Sequence, residues 1–322
     1  MRRRTFLAAA GASYLGPAAA AAATWPERPV RLVTPYAPGG PLDLTARLIA
    51  DKLGARFAQS FVVENKPGAN GAIGVQAVIS APPDGYTLLV HGSAGTTIYQ
   101  AVTRHPAFDT LRDLTPISLI VHFDLILCAN PALPFKTVRE FVAYARANPG
   151  KVSYGSAGVG AMNHVGAEWF KMMTGIDIVH VPYRGDAPAA NDVASGTLGV
   201  AFISSNVAIP LINAGKLRAL AVPSQHRIPA LPDVPTMAEA GYPEFSLQPS
   251  AALFGPAHLD KAIVRRLSAA MKDILAEPEL TKYFVDRGMS PAYTTPEGLA
   301  DVIRKSIALW KGVAAKAKIV IE

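Results

Sequence analysis

Short runs of β-branched and other apolar residues alternate along the chain with longer segments in which apolar residues recur at helical spacing. In the first part of the chain this pattern predicts strands at 30–34, 61–64 and 86–90, with helices at 42–57 and 73–80. Strands that alternate with helices in this way are typical of an α/β protein with a mostly parallel sheet.

The same alternation restarts beyond residue 136. Thr137 is a favourable N-cap residue for a predicted helix at 138–147. Further strands are predicted at 152–154, 178–181, 199–203 and 217–222, with helices at 163–173, 189–194 and 207–214. Three more helices are predicted at 262–275, 279–287 and 297–316.

Two segments between these units, 117–129 and 248–255, have an extended pattern. We therefore predict that the chain crosses twice between two α/β domains. Residues 24–122 and 250–322 would form domain 1, and residues 123–249 would form domain 2. Two crossings make a hinge, and the cleft between the domains is the expected ligand site.

The N-terminus has the features of an export signal. Three arginines at 2–4 precede an apolar run at 6–15, and the alanines at 21–23 satisfy the small-residue rule for cleavage after Ala23. The run is too short to span a bilayer, although a membrane anchor is the alternative interpretation. Residues 1–23 are therefore predicted to be a signal peptide, and Arg3-Arg4 also fits the twin-arginine pattern.

Charge and cysteine content narrow the possible functions. The formal charge of +7 falls to +4 without the predicted signal peptide, from 28 basic and 24 acidic residues. The chain has no dense Lys/Arg tract, so we expect no nucleic-acid partner, but a mild positive charge favours anionic ligands. Cys128 lies in an apolar run and is predicted to be buried, so stability must come from the core rather than from a disulfide.

Three predicted strand-to-helix turns, at 36–41, 92–96 and 155–161, consist mainly of small residues. Each ends at a predicted helix N-terminus, where free backbone N–H groups and the helix dipole favour an anion. We therefore predict a carboxylate site formed by backbone N–H groups and by the hydroxyls of Ser93, Thr96 and Ser156. The alternative is that Gly and Pro merely shape tight turns.

Two side chains near these turns allow two interpretations each. Asp43 is better explained as a residue that caps the first helix than as a ligand contact. His164, in the first turn of the helix after Gly160, is placed either to donate to a ligand carboxylate or to bind the backbone of the neighbouring domain.

Templates for catalysis and cofactor binding are mostly absent. A nucleophile elbow needs Gly two residues before the serine, but Tyr154 precedes Ser156 and His91 precedes Ser93. The histidines lack metal-ligand spacing, and neither nucleotide-binding glycine motif occurs. We therefore expect no cofactor, no metal and no enzymatic activity. A serine hydrolase is the less favoured alternative, because no base is identifiable.

Several motifs resemble those of the Bug family of periplasmic solute-binding proteins, the receptor components of tripartite tricarboxylate transporters. The two most extensive are YAPGGPLD at 36–43 and ENKPGANGAIG at 64–74. Shorter matches lie at 84–89, 113–116, 180–185, 214–222 and 232–236. The similarity extends over essentially the whole chain after residue 23.

The resemblance implies a type II periplasmic-binding-protein fold, in which two α/β domains joined by a two-strand hinge close on a small carboxylate without a cofactor. It also implies a periplasmic monomer that works with membrane permease subunits, although a module that presents its ligand to a sensor kinase is an alternative. Carried onto matching positions, the ligand contacts are Tyr36, Ala37, Gly39, Gly40, Asp43, Ser93, Ala94, Ser156, Gly158, Gly160, His164 and Ser204.

One position departs from the family pattern. Family members often have Phe-Asp-Asn after the strand at 199–202, whereas this chain has Phe202-Ile203-Ser204. If the family aspartate reads an amino group, Ile203 argues against an amino-acid ligand. We therefore predict a carboxylate that carries no cationic group and has an apolar or aromatic body.

Overall fold

The computed structural model describes residues 25–321, so the predicted signal peptide lies outside the described residues. The strands are β1 (Val30–Thr34), β2 (Phe61–Asn65), β3 (Thr87–Gly92), β4 (Leu114–Phe123), β5 (Leu125–Ala129), β6 (Ser153–Ser156), β7 (Val179–Pro182), β8 (Val200–Ser204), β9 (Arg218–Ala221), β10 (Ser250–Pro256) and β11 (Met289–Pro291). The helices are α1 (Pro41–Phe57), α2 (Ala72–Ile79), α3 (Tyr99–Val102), α4 (Thr110–Asp113), α5 (Val138–Ala147), α6 (Met162–Thr174), α7 (Asp186–Ser195), α8 (Ser205–Asn213), α9 (Lys261–Leu275), α10 (Pro278–Val285) and α11 (Pro296–Ala317).

These strands form two sheets. The first has the order β11-β4-β10-β3-β1-β2, and the second has the order β7-β6-β8-β5-β9. β1 pairs in parallel with β2 and β3, and β6 pairs in parallel with β7 and β8. β10 and β5 run antiparallel to their neighbours. We call each sheet with its helices the first and the second lobe. This arrangement confirms the predicted α/β class with two lobes.

Apolar side chains cover both faces of the first sheet. On one face, Ile49, Leu53 and Leu267 from α1 and α9 are fully buried. On the other face, Val33 and Leu89 pack in a cluster with residues of α11. Burial on both faces explains why the strands are nearly continuous apolar runs in the sequence rather than alternating ones.

The lobes are joined where two strands of the first sheet lie side by side. β4 ends at Phe123 and β5 begins at Leu125, so the chain crosses between the sheets at Asp124. It returns into β10 at Ser250, which pairs with His122 of β4. The long helix α11 also connects the lobes, because Trp310 makes an edge contact with Trp169 of α6, with ring centroids 5.7 Å apart.

A few features differ from the predicted pattern. The turn predicted at 92–96 continues into a short π-helix, Ala94–Ile98, and the three-residue strand β11 is absent from the prediction. Cys128 is buried as predicted, and burial raises the pKa of its thiol. Within residues 25–321, no helix combines the length and the apolar character needed to cross a membrane.

Candidate ligand-binding site

A cavity of about 390 Å³ lies between the lobes, at the carboxyl ends of β1 and β8. Tyr36 and Gly40, in the loop after β1, line one side of it. Ser204 and Ser205 line the opposite side. Three of the predicted ligand-binding residues, Tyr36, Gly40 and Ser204, therefore share one cavity. Its volume is in the range of small-molecule sites.

The loop after β1 is held from beneath by Asp43. The carboxylate of Asp43 accepts hydrogen bonds from Gly39 N at 2.8 Å, from Arg47 Nε at 2.9 Å and from Asn65 Nδ2 at 2.7 Å. Burial opposes the charge on this carboxylate, but the hydrogen bonds outweigh that effect and keep the pKa of Asp43 below its usual range. With a side chain only 1% exposed, Asp43 supports the loop from inside the protein.

The tip of this loop has a conformation suited to an anion. Gly39 has a φ of +85°, a left-handed value that L side chains rarely adopt. Within residues 25–321, the amides of Ala37 and Gly40 donate to no protein acceptor. Gly40 is the N-cap residue of α1, so the positive end of the helix dipole lies at the same place. Arg47 offsets the charge of Asp43, which would otherwise repel an anion.

The side chain of Tyr36 points away from solvent, to a histidine that the sequence analysis missed. Its hydroxyl lies 2.9 Å from His91 Nδ1 and accepts a hydrogen bond from Gly92 N at 3.2 Å. His91 is 1% exposed, and burial lowers its pKa to about 3. A Cβ atom on Gly95 would stand 2.1 Å from the His91 ring, so Gly95 is required for close approach. His91 therefore connects the loop after β1 with the turn after β3.

Ser93 and Ala94 lie in that turn. The hydroxyl of Ser93 accepts a hydrogen bond from Ser250 N at 2.9 Å, which ties the turn to the strand by which the chain returns to the first lobe. Ser93 lines a second cavity of about 290 Å³, together with Thr96 and His122. The structure thus places Ser93 beside the cavity of Tyr36 and Ser204 rather than among its lining residues.

Ser156 ends β6 and is completely buried. Its Oγ atom lies 2.6 Å from Nε2 of His180 on the neighbouring strand and accepts a hydrogen bond from Gly158 N at 3.2 Å. Gly158 and Gly160 both have positive φ values, +136° and +78°. No base for Ser156 is identifiable in the sequence, but pairing of β6 with β7 brings His180 within hydrogen-bond distance. Complete burial, however, closes the Ser156 hydroxyl to a substrate.

His164 lies in the first turn of α6 and binds its own loop. Its Nδ1 accepts a hydrogen bond from Gly160 N at 3.0 Å. Its ring stacks on that of His180 at 4.0 Å, and His180 stacks in turn on Tyr154 at 4.9 Å. Burial lowers the pKa of both histidines, that of His180 to about 4. Both rings are therefore neutral at pH 7 and provide no positive charge for an anion.

Ser204, at the end of β8, is hydrogen-bonded to Asp186, the first residue of α7. Its hydroxyl and its amide both donate to Asp186, the amide at 3.2 Å. Asn163 Nδ2 also donates to Asp186, at 2.9 Å, while Asn163 Oδ1 accepts from Ala157 N at 3.1 Å. Asp186 and Asn163, which the sequence analysis missed, thus join three turns of the second lobe. In the sequence, Asp186 is recognisable only as an acidic residue at the start of a helix, where its charge interacts favourably with the helix dipole.

Ile203 does not line the cavity. It is 1% exposed and packs with Ile126 and Cys128 in the core of the second lobe. Ile203 therefore does not bear on whether the ligand has an amino group, because its side chain points into the core, and the prediction drawn from it is wrong. The described part of the chain, residues 25–321, also has no group of three His, Cys, Asp or Glu side chains that could hold a metal.

Comparison with known proteins identifies the class of this chain. Residues 45–319 match the family model for the tripartite tricarboxylate transporter family receptor. Protein BugT of Bordetella pertussis is 34% identical over 309 residues, which cover 96% of this chain and 94% of BugT. The chain therefore belongs to the tripartite tricarboxylate transporter receptor family, as its motifs predict.

Two solved structures have the same fold. Rpa4515 of R. palustris, solved with adipate, is 33% identical with a TM-score of 0.77, covering 92% of this chain and 99% of that one. MatC (Rpa3494) from Rhodopseudomonas palustris, with bound malate, is 29% identical with a TM-score of 0.72, covering 90% of this chain and 99% of that one. These likenesses confirm the predicted periplasmic-binding-protein fold. The chain is a solute-binding protein rather than an enzyme.

Proposed function

We propose that the protein captures a small carboxylate in the cleft between its lobes and delivers it to the permease subunits of a tripartite tricarboxylate-type transporter. The observation that carries this proposal is the loop after β1, where free amides, a left-handed Gly39 and a helix N-terminus coincide. The adipate and malate in the structures of Rpa4515 and MatC support the same ligand class.

Each predicted residue has a role in this proposal. The backbone of Tyr36, Ala37, Gly39 and Gly40 holds the carboxylate, and Asp43 fixes the shape of that loop. Ser204 contacts the ligand from the second lobe. The turns that approach the ligand when the lobes close contain Ser93, Ala94, Ser156, Gly158, Gly160 and His164. A ligand favours closure only through contacts that it gains in the closed state.

Export and domain organisation belong to the same proposal. Residues 1–23 are removed on export to the periplasm, and Arg3-Arg4 directs the chain to the twin-arginine route. The mature protein works as a monomer whose lobes comprise residues 24–122 with 250–322, and residues 123–249. The assignment of β1–β4, β10 and β11 to one sheet and of β5–β9 to the other supports these boundaries.

Native mass spectrometry of the protein purified from the periplasm tests ligand capture. We expect an added mass of a small organic acid, and we expect that acid to raise the melting temperature of the stripped protein. If none of a panel of mono-, di- and tricarboxylates binds to the stripped protein, the proposal is wrong. Uptake of the bound acid should fall when the gene is deleted. Unchanged uptake with loss of a transcriptional response would favour the sensor module instead.

A further inference from the structure

Asp124, the residue at which the chain crosses between the lobes, has a buried carboxylate with few protein partners. It is 4% exposed and lines the cavity of about 390 Å³. Among residues 25–321, the hydrogen bond to this carboxylate comes from Ser290 Oγ, at 3.5 Å, which is at the limit of such a contact. Burial raises the pKa of Asp124 to about 6. A buried carboxylate normally has strong hydrogen-bond donors around it, and among residues 25–321 this one has only the long contact to Ser290.

The backbone of Asp124 is held by both lobes. Its amide donates to Gly288 O at 3.1 Å, and its carbonyl accepts from Ser205 N at 2.9 Å. The Ser205 hydroxyl also donates to Gly288 O, at 2.9 Å. Asp124 is therefore fixed at the base of the cavity, and its backbone cannot easily turn the carboxylate out to solvent.

The remainder of the cavity suits an apolar ligand body. Leu42, Phe123 and Met289 contribute apolar surface to its wall, and Tyr36 and Gly40 of the loop after β1 line the same space. A ligand whose carboxylate is held at that loop would therefore extend past apolar side chains towards Asp124.

Other titratable groups near Asp124 do not neutralise it. The cavity is also lined by Tyr36, Tyr283 and Arg287. Arg287 is exposed, with its guanidinium 3.8 Å from the centre of the Tyr283 ring and a hydrogen bond to Tyr283 O. His122, on β4, lines the other cavity, and burial lowers its pKa, so it is neutral at pH 7.

We infer that this cavity is a specificity pocket in which Asp124 selects a hydrogen-bond donor, a hydroxyl or an ammonium group, at the end of the ligand remote from its carboxylate. The inference rests on the proposed function, since it takes the ligand carboxylate to be held by the loop after β1. The preferred ligands are thus ω-hydroxy and ω-amino acids with an apolar chain.

Isothermal titration calorimetry on the stripped, full mature protein tests this inference. The ligands are unsubstituted monocarboxylates of four to eight carbons, with ω-hydroxy, ω-amino and ω-carboxy acids of the same lengths. At pH 8 we expect the ω-hydroxy and ω-amino acids of the best length to bind at least about tenfold tighter than the unsubstituted acid of the same length. A hydrogen bond to a charged group contributes enough free energy for this difference in affinity. Asp124→Asn should remove the ω-amino preference and keep the affinity for the unsubstituted acid. Asp51→Asn, at an exposed position of α1 outside this cavity, is the matched control and should leave the preference unchanged.

A measurement on the unaltered protein provides a second test that does not depend on the folding of a variant. Because Asp124 titrates near pH 6, the ω-amino preference should weaken at pH 5, where the carboxyl group is neutral. Unsubstituted acids that bind as well as ω-amino and ω-hydroxy acids at pH 8 would overturn this inference and leave the proposed function intact. If no carboxylate of any kind binds, the proposed function and this inference both fail.

Discussion

The amide of Gly39 donates to the carboxylate of Asp43, 2.8 Å away and four residues along the chain. This hydrogen bond joins the exposed tip of a loop to a buried side chain in the first turn of α1. The hydrogen bond therefore fixes the shape of the loop without a ligand. Under the proposed function, a carboxylate that uses the loop amides would spend little free energy on ordering them.

Gly39→Ala should weaken carboxylate binding. At a φ of +85° an alanine is strained although nothing lies within 4 Å of its Cβ, so the loop will shift rather than clash. We expect affinity to fall about five- to thirtyfold, which corresponds to the strain of a left-handed residue. Gly40→Ala is the matched control, because Gly40 has an ordinary φ of −77° and a Cβ there would meet Ala37 O at an ordinary contact distance of 3.8 Å. If calorimetry shows that the two variants lose carboxylate affinity equally, the left-handed conformation of Gly39 is not important for binding.

The pair Ser156 and His180 should show no hydrolytic activity. Its 2.6 Å separation is that of a nucleophile with its base, but the serine is completely buried and its Oγ also binds Gly158 N. Ser156→Ala should remove the support of Gly158 and weaken ligand binding several-fold, without changing the background hydrolysis of p-nitrophenyl esters. Turnover that disappears in this variant would show instead that the serine reaches a substrate.

His91 should make the protein less stable in mild acid. Its folded pKa of about 3 lies below the usual value for histidine, so the unfolded chain binds this proton more readily. The contribution of neutral His91 to the free energy of unfolding is complete above about pH 6.5 and is lost as the pH falls towards 3. Between pH 7.5 and pH 5 the free energy of unfolding should fall by about 2 kcal/mol more in the native protein than in His91→Gln. Urea unfolding at both pH values measures this difference. The exposed His105→Gln serves as the control and should keep the native dependence.

Asp124 should make the protein less stable as the pH rises, which is opposite to the effect of His91. Its folded pKa of about 6 lies above the usual value, so the folded state holds the proton more tightly. The resulting loss of stability is absent below about pH 4, grows as pH rises to 6 and is complete above it. Asp124→Asn should therefore be more stable than the native protein by as much as about 3 kcal/mol at pH 7.5, and by little at pH 4. Asp51→Asn, on the exposed side of α1, is the control. An Asp124→Asn variant that is less stable than the native protein at pH 7.5 would contradict the raised pKa of Asp124.

The sequence predicts much of this fold because the strands are short apolar runs that end in small-residue turns. Burial of both sheet faces makes those runs easy to locate, and the loop after β1 is identifiable from Gly39, Gly40 and the N-cap position of α1. β11 is harder to predict, because its three residues, Met289–Pro291, include a proline and gain strand structure only by pairing with β4.

The side-chain partners within the site could not be predicted in the same way. His91 and Tyr36 are 55 residues apart and meet only because β1 and β3 are adjacent. Ile203 illustrates a second limit. Phe202 and Ile203 lie in different apolar clusters on opposite faces of β8, so with both faces buried the alternation along the strand does not identify the residue that faces the ligand. Ser204, at the strand end, is the residue of β8 that lines the cavity.

Asp124 is both the single residue between β4 and β5 and a wall of the cavity, whereas residues 222–249 separate β9 from β10. Most of this segment packs within the second lobe, where Met237, Phe245 and Leu247 are buried. The second crossing is therefore also short, and it lies beside the first, because Phe123 N donates to Pro249 O at 2.7 Å. Asp124 and Pro249, one from each crossing, both line the cavity. If the ligand binds there, as proposed, we expect that filling the cavity and setting the angle between the lobes are one mechanical event. Under the proposed function, a permease that touches both lobes would then detect a loaded receptor from its shape alone, without contacting the ligand.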